Sequence, residues 1–235
     1  MITVIGSVNL DLIATVERLP KPGETVPGDG FSTAPGGKGA NQALAARRAG
    51  AEVRMVGAVG RDAFAGQALA LLKEGGVDLS AVREADAATG IAVILVEASG
   101  ENVIAVVPGG NGAVAPADVA GADLRAGGHL LLQLEIPLEA VAAALDAARK
   151  AGVVSLLNTA PFRAEAANLL EKADHVVANE TEFDLYADAL RLEGGDREAR
   201  MRDFSARTGR TIVVTLGADG VAAATPDALL RAKGL

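Results

Sequence analysis

The chain has 235 residues, half of them hydrophobic, and 30 acidic against 22 basic side chains give a formal charge of −8. That length holds one large α/β domain or two small ones; no basic stripe interleaved with aromatics is present, which argues against nucleic acid as a partner. Cysteine is absent, excluding disulfides and thiolate metal sites. Residues 1–8 form a short apolar strand instead of a charged leader, and no uncharged apolar run marks a membrane span, so a cytoplasmic protein is expected. Five Phe, one Tyr and no Trp leave Ala, Val and Leu to fill the core.

Ile2 to Val8 is a β-branched run that reads as a buried strand. It ends in Asn9-Leu10-Asp11, and Leu12 to Val16 continues as extended chain. Pro20, Pro22-Gly23, Pro27-Gly28 and Gly30 then break the chain into a small irregular β excursion. Next comes Ala34-Pro35-Gly36-Gly37-Lys38-Gly39-Ala40-Asn41-Gln42-Ala43. Its clustered glycines allow positive φ and close approach of backbone to a ligand, and the alanine-rich stretch 40–49 behind them is helix-forming. A glycine turn opening a helix offers free N–H groups and the positive end of a dipole, to which Lys38 and Asn41 add donors. A Walker A loop is not matched: Gly39 stands where Ser or Thr would ligate magnesium, and no strand is expected to run directly into the turn. By itself the stretch reads equally as a tight turn with a solvated lysine.

Glu52 to Val59 is expected as a strand and Ala63 to Glu74 as a helix capped by Asp62. Residues 91–96 and 102–107 flank Ala98-Ser99-Gly100-Glu101 as a β-hairpin, paired here with residues 12–33 as one accessory sheet. The Gly109-Gly110-Asn111-Gly112 loop after it reads equally as a pocket lining or a hinge. From His129 onward the pattern alternates. Strands are expected at 129–134, 153–157, 175–178 and 211–214, with helices at 138–151, 164–172, from Glu180, and at 196–208. Such alternation implies a parallel sheet with right-handed crossovers. Strand after strand ends in a polar residue: Asn9 and Asp11, Glu135, Asn158, Asn179 with Glu182, and Thr215. Ligands of open α/β sheets bind beyond the carboxyl ends of the strands, so these termini are expected to converge on a site for a polyhydroxylated or phosphorylated ligand. His129 and His175 lack acidic partners at ligand spacing and read as surface or edge residues.

Taken in order, these motifs resemble those of the ribokinase-like sugar kinases over essentially the whole chain. Gly6-Ser7-Val8-Asn9-Leu10-Asp11 is similar to that family's opening Gly-Ser-x-Asn-x-Asp, and Gly36 to Ala43 to its first signature. Leu132 to Glu139 resembles the segment with its sugar-binding glutamate, Asn179-Glu180-Thr181-Glu182 its Asn-x-x-Glu motif, and Thr215 to Gly220 its nucleotide-binding turn. The resemblance implies a single α/β domain over 1–235: a Rossmann-type, three-layer parallel sheet, C-terminally incomplete, with a small β-sheet lid from about 12–35 and 91–107. It implies ATP-dependent phosphorylation of ribose, or a related pentose, at its 5-hydroxyl. Asn9, Asp11, Gly37, Lys38, Gly39, Asn41 and Glu135 would bind the sugar. Asn179 would meet the ATP phosphates, and Thr215, Leu216, Gly217, Ala218, Asp219 and Gly220 would lie along the nucleotide. Glu182 would organise Mg2+ through water, as that ion keeps much of its hydration shell. The lid would exclude water and pair two subunits as a homodimer.

The family pattern continues to Asp-Thr-x-Gly-Ala-Gly-Asp, whose final Asp is the base for the sugar hydroxyl, and no such stretch occurs within residues 1–235. Also expected only beyond them are the adenine wall and any monovalent-cation site. A smaller departure is Asn158-Thr159-Ala160-Pro161, where the family often has Asn-Pro-Ala-Pro. The 235 residues alone are therefore expected to be inactive or nearly so, since phosphoryl transfer rests on positioning and electrostatic stabilisation. They are also expected to expose apolar helix faces. The sequence reads best as an incomplete record of a longer enzyme. Other readings are a different pentose or nucleoside kinase of the same family, and a non-catalytic sugar-binding protein.

Overall fold

The computed structural model describes residues 1–234. The chain opens with β1 (Ile2–Ile5), crosses Gly6 to Val8 and continues as β2 (Asn9–Val16), then β3 (Gly28–Gly36). β3 runs straight into the glycine turn, against expectation. As the edge strand of its sheet it tolerates the Gly and Pro that disguised it. α1 (Lys38–Arg48) follows, ending in Arg47 and Arg48, whose charges suit the negative end of the helix dipole. β4 (Val53–Val59) leads to α2 (Ala63–Ala68), whose first amides, Phe64 and Ala65, donate to the Asp62 carboxylate. The helix expected over 63–74 breaks at Leu69 and resumes as α3 (Ala70–Glu74).

β5 (Asp78–Glu84), unforeseen because its charged and small residues hide any alternation, precedes β6 (Gly90–Glu97) and β7 (Asn102–Val107). Then come α4 (Pro116–Ala120), β8 (His129–Leu132), α5 (Leu138–Ala151) and β9 (Val154–Asn158). α5 carries Glu139 in its first turn and Arg149 and Lys150 in its last, and stops at Gly152 in the left-handed conformation. The helix expected at 164–172 is a 3-10 turn followed by the short α6 (Ala167–Leu170). β10 (His175–Asn179), α7 (Glu180–Ala189), α8 (Arg197–Thr208) and β11 (Thr211–Thr215) complete the alternation. Two further strands, β12 (Val221–Ala224) and β13 (Leu229–Ala232), were not anticipated. The alanines of β12 favour helix, but its antiparallel pairing with β11 overrides that preference.

The main sheet has nine strands in the order β13-β12-β11-β10-β9-β8-β1-β4-β5, parallel from β11 to β5. This is the α/β architecture the alternation implied. A second sheet, β3-β2-β6-β7, stands at the carboxyl end of β1. One face of the main sheet packs Ile5, Leu130, Leu132, Leu157, Val176 and Ile212 against α5, α7 and α8. The other face packs Val4, Val53 and Met55 against α1 and α3. That second cover stops near β8. Leu131, Leu156, Val177 and Val213 stay only half-buried, Val154 is 36% exposed, and a shallow apolar hollow of about 300 Å3 lies beside Ala45 and Ala46. Parallel strands are ordinarily covered on both faces. The uncovered apolar surface is thus a sheet face, not the helix faces expected. Among the described residues no helix is long and apolar enough to cross a membrane.

Converting Val154 and Leu156 together to Thr is expected to reduce binding of a hydrophobic dye while shifting the melting temperature by less than about 3 °C, the effect of roughly 1 kcal/mol at this size. A larger fall would mean these side chains are packed.

Candidate active site

The turn between β3 and α1 lies against the exit of β1. Gly37 has φ of 92°, and a Cβ there would stand 2.8 Å from the Asn9 nitrogen and 2.9 Å from the Ser7 oxygen, so only glycine fits. Ala40 N–H donates to the Ser7 carbonyl at 2.9 Å. The Ser7 hydroxyl accepts from Gly39 N–H at 3.2 Å and donates to Glu135 Oε2 at 2.5 Å. Lys38 N–H donates to the same Glu135 oxygen at 3.0 Å. Glu135, three residues beyond β8, is thereby anchored at the positive end of α1, where a carboxylate is stabilised. Its other oxygen, Oε1, has no protein partner among the described residues.

Beside this node is a cavity of about 730 Å3. Its floor includes Asn9, Asp11, Gly37, Lys38, Asn41 and Glu135; its roof is Ala92 and Ile94 of β6 with Ile104 and Val106 of β7. Strand alternation explains the mix. Asp11 pairs with Ala92, and Ala92 with Val106, so one face of the small sheet carries both a carboxylate and apolar side chains to the cavity. Asp11, the Lys38 ammonium and the Asn41 amide have no hydrogen-bond or ion-pair partner among the described residues. Burial first, and then the charge of Glu135, hold the Asp11 carboxyl above its ordinary value.

The remaining candidates fall elsewhere. Gly39 is buried, lies outside the cavity lining and commits its N–H to Ser7. Asn158 borders the hollow on the open sheet face and accepts from Ala160 N–H at 3.0 Å. Asn179 and Glu182 form a capping box at the start of α7: Glu182 N–H donates to Asn179 Oδ1 at 2.7 Å, and Asn179 N–H to Glu182 Oε2 at 3.0 Å. Thr159, the departure from Asn-Pro, donates its hydroxyl to Glu182 Oε2 at 3.3 Å. This leaves one Glu182 oxygen without a partner. No group of three or more His, Asp or Glu among the described residues is placed to hold a metal directly, and a single free carboxylate oxygen suits a hydrated ion. Thr215 donates its hydroxyl to the Ala178 carbonyl, and the 216–220 turn closes on itself through Leu216 N–H to Gly220 O at 2.8 Å. Leu216 and Asp219 border a separate cavity of about 700 Å3 with Arg197, Arg231 and Lys233. Gly217, Ala218 and Gly220 are not among its lining residues.

The strand termini therefore do not converge on one cavity. In the sheet order β11 lies four strand spacings from β1, about 19 Å at roughly 4.8 Å each. Asn9, Asp11 and Glu135 share a cavity; Asn179, Glu182 and Thr215 occupy the same rim farther along. In the sequence Ser7 stands out only as part of a motif, Asn111 reads equally as pocket lining or hinge, and nothing marks Arg163. All three matter locally: Ser7 holds Glu135, Asn111 is buried beside Asn9, and Arg163 lines the cavity. The signal for Asn111 was a polar residue inside a glycine loop at the return from the small sheet.

Residues 1–235 match the model of the pfkB family carbohydrate kinases. The chain belongs to that family and is by membership a phosphotransferase. It is 41% identical over 236 residues to a ribokinase of Schizosaccharomyces pombe, covering 93% of this chain and 73% of the relative. It is 35% identical over 231 residues to a deoxyribokinase of Salmonella typhimurium, covering 96% and 75%. The solved structure of Arabidopsis thaliana ribokinase complexed with ribose and ATP superposes with a TM-score of 0.81 at 30% identity, covering 99% of this chain and 77% of that one. The kinase spans about three quarters of the length of these relatives.

Two outcomes are expected of the site itself. Ser7→Ala leaves the buried Gly39 N–H without an acceptor, which costs about 1–3 kcal/mol and is measurable as a lower urea midpoint; an unchanged midpoint would refute the node. Asp11→Asn removes a carboxylate whose folded-state pKa is raised. Ionisation of such a group opposes folding fully above the folded value and not at all below the ordinary one. The variant should therefore melt higher than the native chain at neutral pH, with the gain shrinking as pH falls through the carboxylate range. Equal melting at pH 7 contradicts the assignment.

Proposed function

We propose that this kinase phosphorylates ribose at its 5-hydroxyl with ATP, and that the cavity beneath the small sheet is its pentose site. The observation that carries this is the set of unpartnered polar groups facing one cavity: the Asp11 carboxylate, Glu135 Oε1, the Lys38 ammonium and the Asn41 amide. Asp11, Lys38 and Glu135 are half-buried and Asn41 is exposed at the rim; half-buried polar groups normally find partners in the fold, so the first three, left without them, fit a hydroxyl-rich ligand. Carboxylates accept hydroxyl protons in strong, charge-assisted bonds, and Lys38 and Asn41 donate to the sugar oxygens. The apolar roof excludes water that would compete as phosphoryl acceptor. Similarity to a ribokinase, and to one solved with ribose and ATP, supports the choice of sugar and nucleotide.

In this reading Asn179 meets the ATP phosphates and the turn from Thr215 to Gly220 follows the nucleotide. The free oxygen of Glu182 holds the hydration shell of Mg2+, which when bound supplies neutralisation of phosphate charge. The spacing of about 19 Å between β1 and β11 accommodates two substrates side by side along one rim. The family's base-bearing motif is not among residues 1–235, so we propose that these residues bind substrates and turn them over poorly. Deoxyribose is the second reading, favoured by the 35% identity to a deoxyribokinase. A second copy of the chain is proposed to pair through the small sheet, because Val103 and Val107, which alternate with the cavity-lining Ile104 and Val106 along β7, are 54% and 50% exposed.

Calorimetry with ribose, 2-deoxyribose and ATP tests this, with Glu135→Gln expected to lower pentose affinity roughly tenfold to a hundredfold. ADP release should stay well below the roughly 1–100 per second of ordinary kinases. Sedimentation of the native chain should give twice the monomer mass and Val103→Lys the monomer. Absence of any pentose binding would overturn the reading, and a monomeric native chain would remove the dimer.

A further inference from the structure

We infer that Asn111 is a positioning residue that turns the Asn9 side chain so that it offers hydrogen-bond donors, not an acceptor, to the sugar. This rests on the pentose-site reading above. Asn111 is 1% exposed and sits in the loop by which the chain returns from the small sheet to the main one. Its side chain makes bonds to two residues at the exit of β1. Oδ1 accepts from Val8 N–H at 2.8 Å; Nδ2 donates to the Val8 carbonyl at 3.2 Å and to Asn9 Oδ1 at 2.6 Å.

The orientation of both amides follows from the backbone. A peptide N–H can only donate and a peptide carbonyl can only accept. Val8 N–H therefore dictates which end of Asn111 is oxygen, and the opposite end must be the NH2 group. That NH2 lies against Asn9, so the atom it meets there must be the Asn9 oxygen. The Asn9 NH2 is left on the other side. Asn9 is 3% exposed and lines the cavity, and its nitrogen has no protein partner among the described residues. The result complements the rest of the floor. Asp11 and Glu135 can only accept when ionised, and a sugar hydroxyl engages most fully when it meets one acceptor and one donor.

Gly90, the first residue of β6, leaves the space this pair needs. A Cβ there would come within 2.3 Å of Asn111 Nδ2 and 2.4 Å of Asn9 Oδ1. Its φ is not among the positive values of the chain, so alanine is allowed by the local backbone angles; the two amides are the nearest obstruction, followed by the Pro108 carbonyl at 2.8 Å. Gly90→Ala is thus a way to disturb the pair without altering either asparagine.

Ribose calorimetry on a double-mutant cycle tests the inference. Asn111→Asp keeps an oxygen for Val8 N–H but replaces the donor to Asn9, so affinity should fall roughly tenfold to a hundredfold. Asn9→Ala should weaken binding too, and the double variant should bind no more weakly than Asn9→Ala alone. Additive losses mean that Asn111 acts on folding only and overturn the inference, as does native affinity in Asn111→Asp or in Gly90→Ala. Should these variants fail to fold, hydrogen exchange in the native chain decides: the Asn111 side-chain amide should be strongly protected relative to that of exposed Asn41, and equal rates would refute the lock. A native chain that binds no pentose refutes the pentose-site reading and is distinct from these outcomes, because the exchange measurement is independent of ligand.

Discussion

One carboxylate oxygen, Glu135 Oε2, joins three parts of the chain that are far apart in sequence. It receives the hydroxyl of Ser7 from the exit of β1 and the amide of Lys38 from the start of α1, while Glu135 itself follows β8. The strength of the node comes from its place at a helix N-terminus, where unpaired amides and the dipole favour negative charge. Because one oxygen is held structurally, the other is presented in a fixed direction. Gly37 makes this arrangement possible by letting the turn approach the β1 exit to within backbone contact.

The small sheet completes the cavity by simple alternation. Its strand β2 is a direct continuation of the chain leaving β1, so Asn9 and Asp11 enter the cavity from the same segment that anchors Glu135. Asp11 has no ion-pair partner among the described residues, and burial with the nearby charge of Glu135 disfavours its ionised form. A carboxylate kept under such conditions costs local stability, the pattern expected of the binding surface proposed here. The Lys38 side chain, without an ion-pair partner among the described residues, lines the same cavity as both carboxylates.

Width governs the rest of the site. Three parallel strands, β8, β9 and β10, lie between β1, beside the cavity, and β11 with its following turn, and the α7 capping box stands at the end of β10. The capping box also gives the three-residue spacing of Asn179 and Glu182 a structural reason independent of any ligand: each side chain satisfies the other's backbone amide. The structural role of Glu182 occupies only one of its oxygens, so it does not conflict with the ligand role proposed for the other.

Alternation of apolar runs with helix-periodic stretches made the parallel sheet legible in the sequence; Asp62, Asn179 and Asp196 open helices through side chains that accept from nearby amides, and Gly152 ends one because it can turn left-handed. The residues around the cavity were legible as polar strand ends and a glycine turn. What the sequence could not disclose depended on pairing. β3, β12 and β13 carry Gly, Pro or Ala that argue against strand locally, and neighbouring strands supply the hydrogen bonds that decide otherwise. Likewise, the split of the polar termini between two regions follows from strand order, and the roles of Ser7 and Asn111 from contacts across 128 and 102 residues. The sequence by itself determined which segments could be strands or helices and which side chains could bind a hydroxyl, because those depend on each residue and its near neighbours. Only the tertiary structure decided which of those side chains were already taken by the fold and which were left free for a ligand.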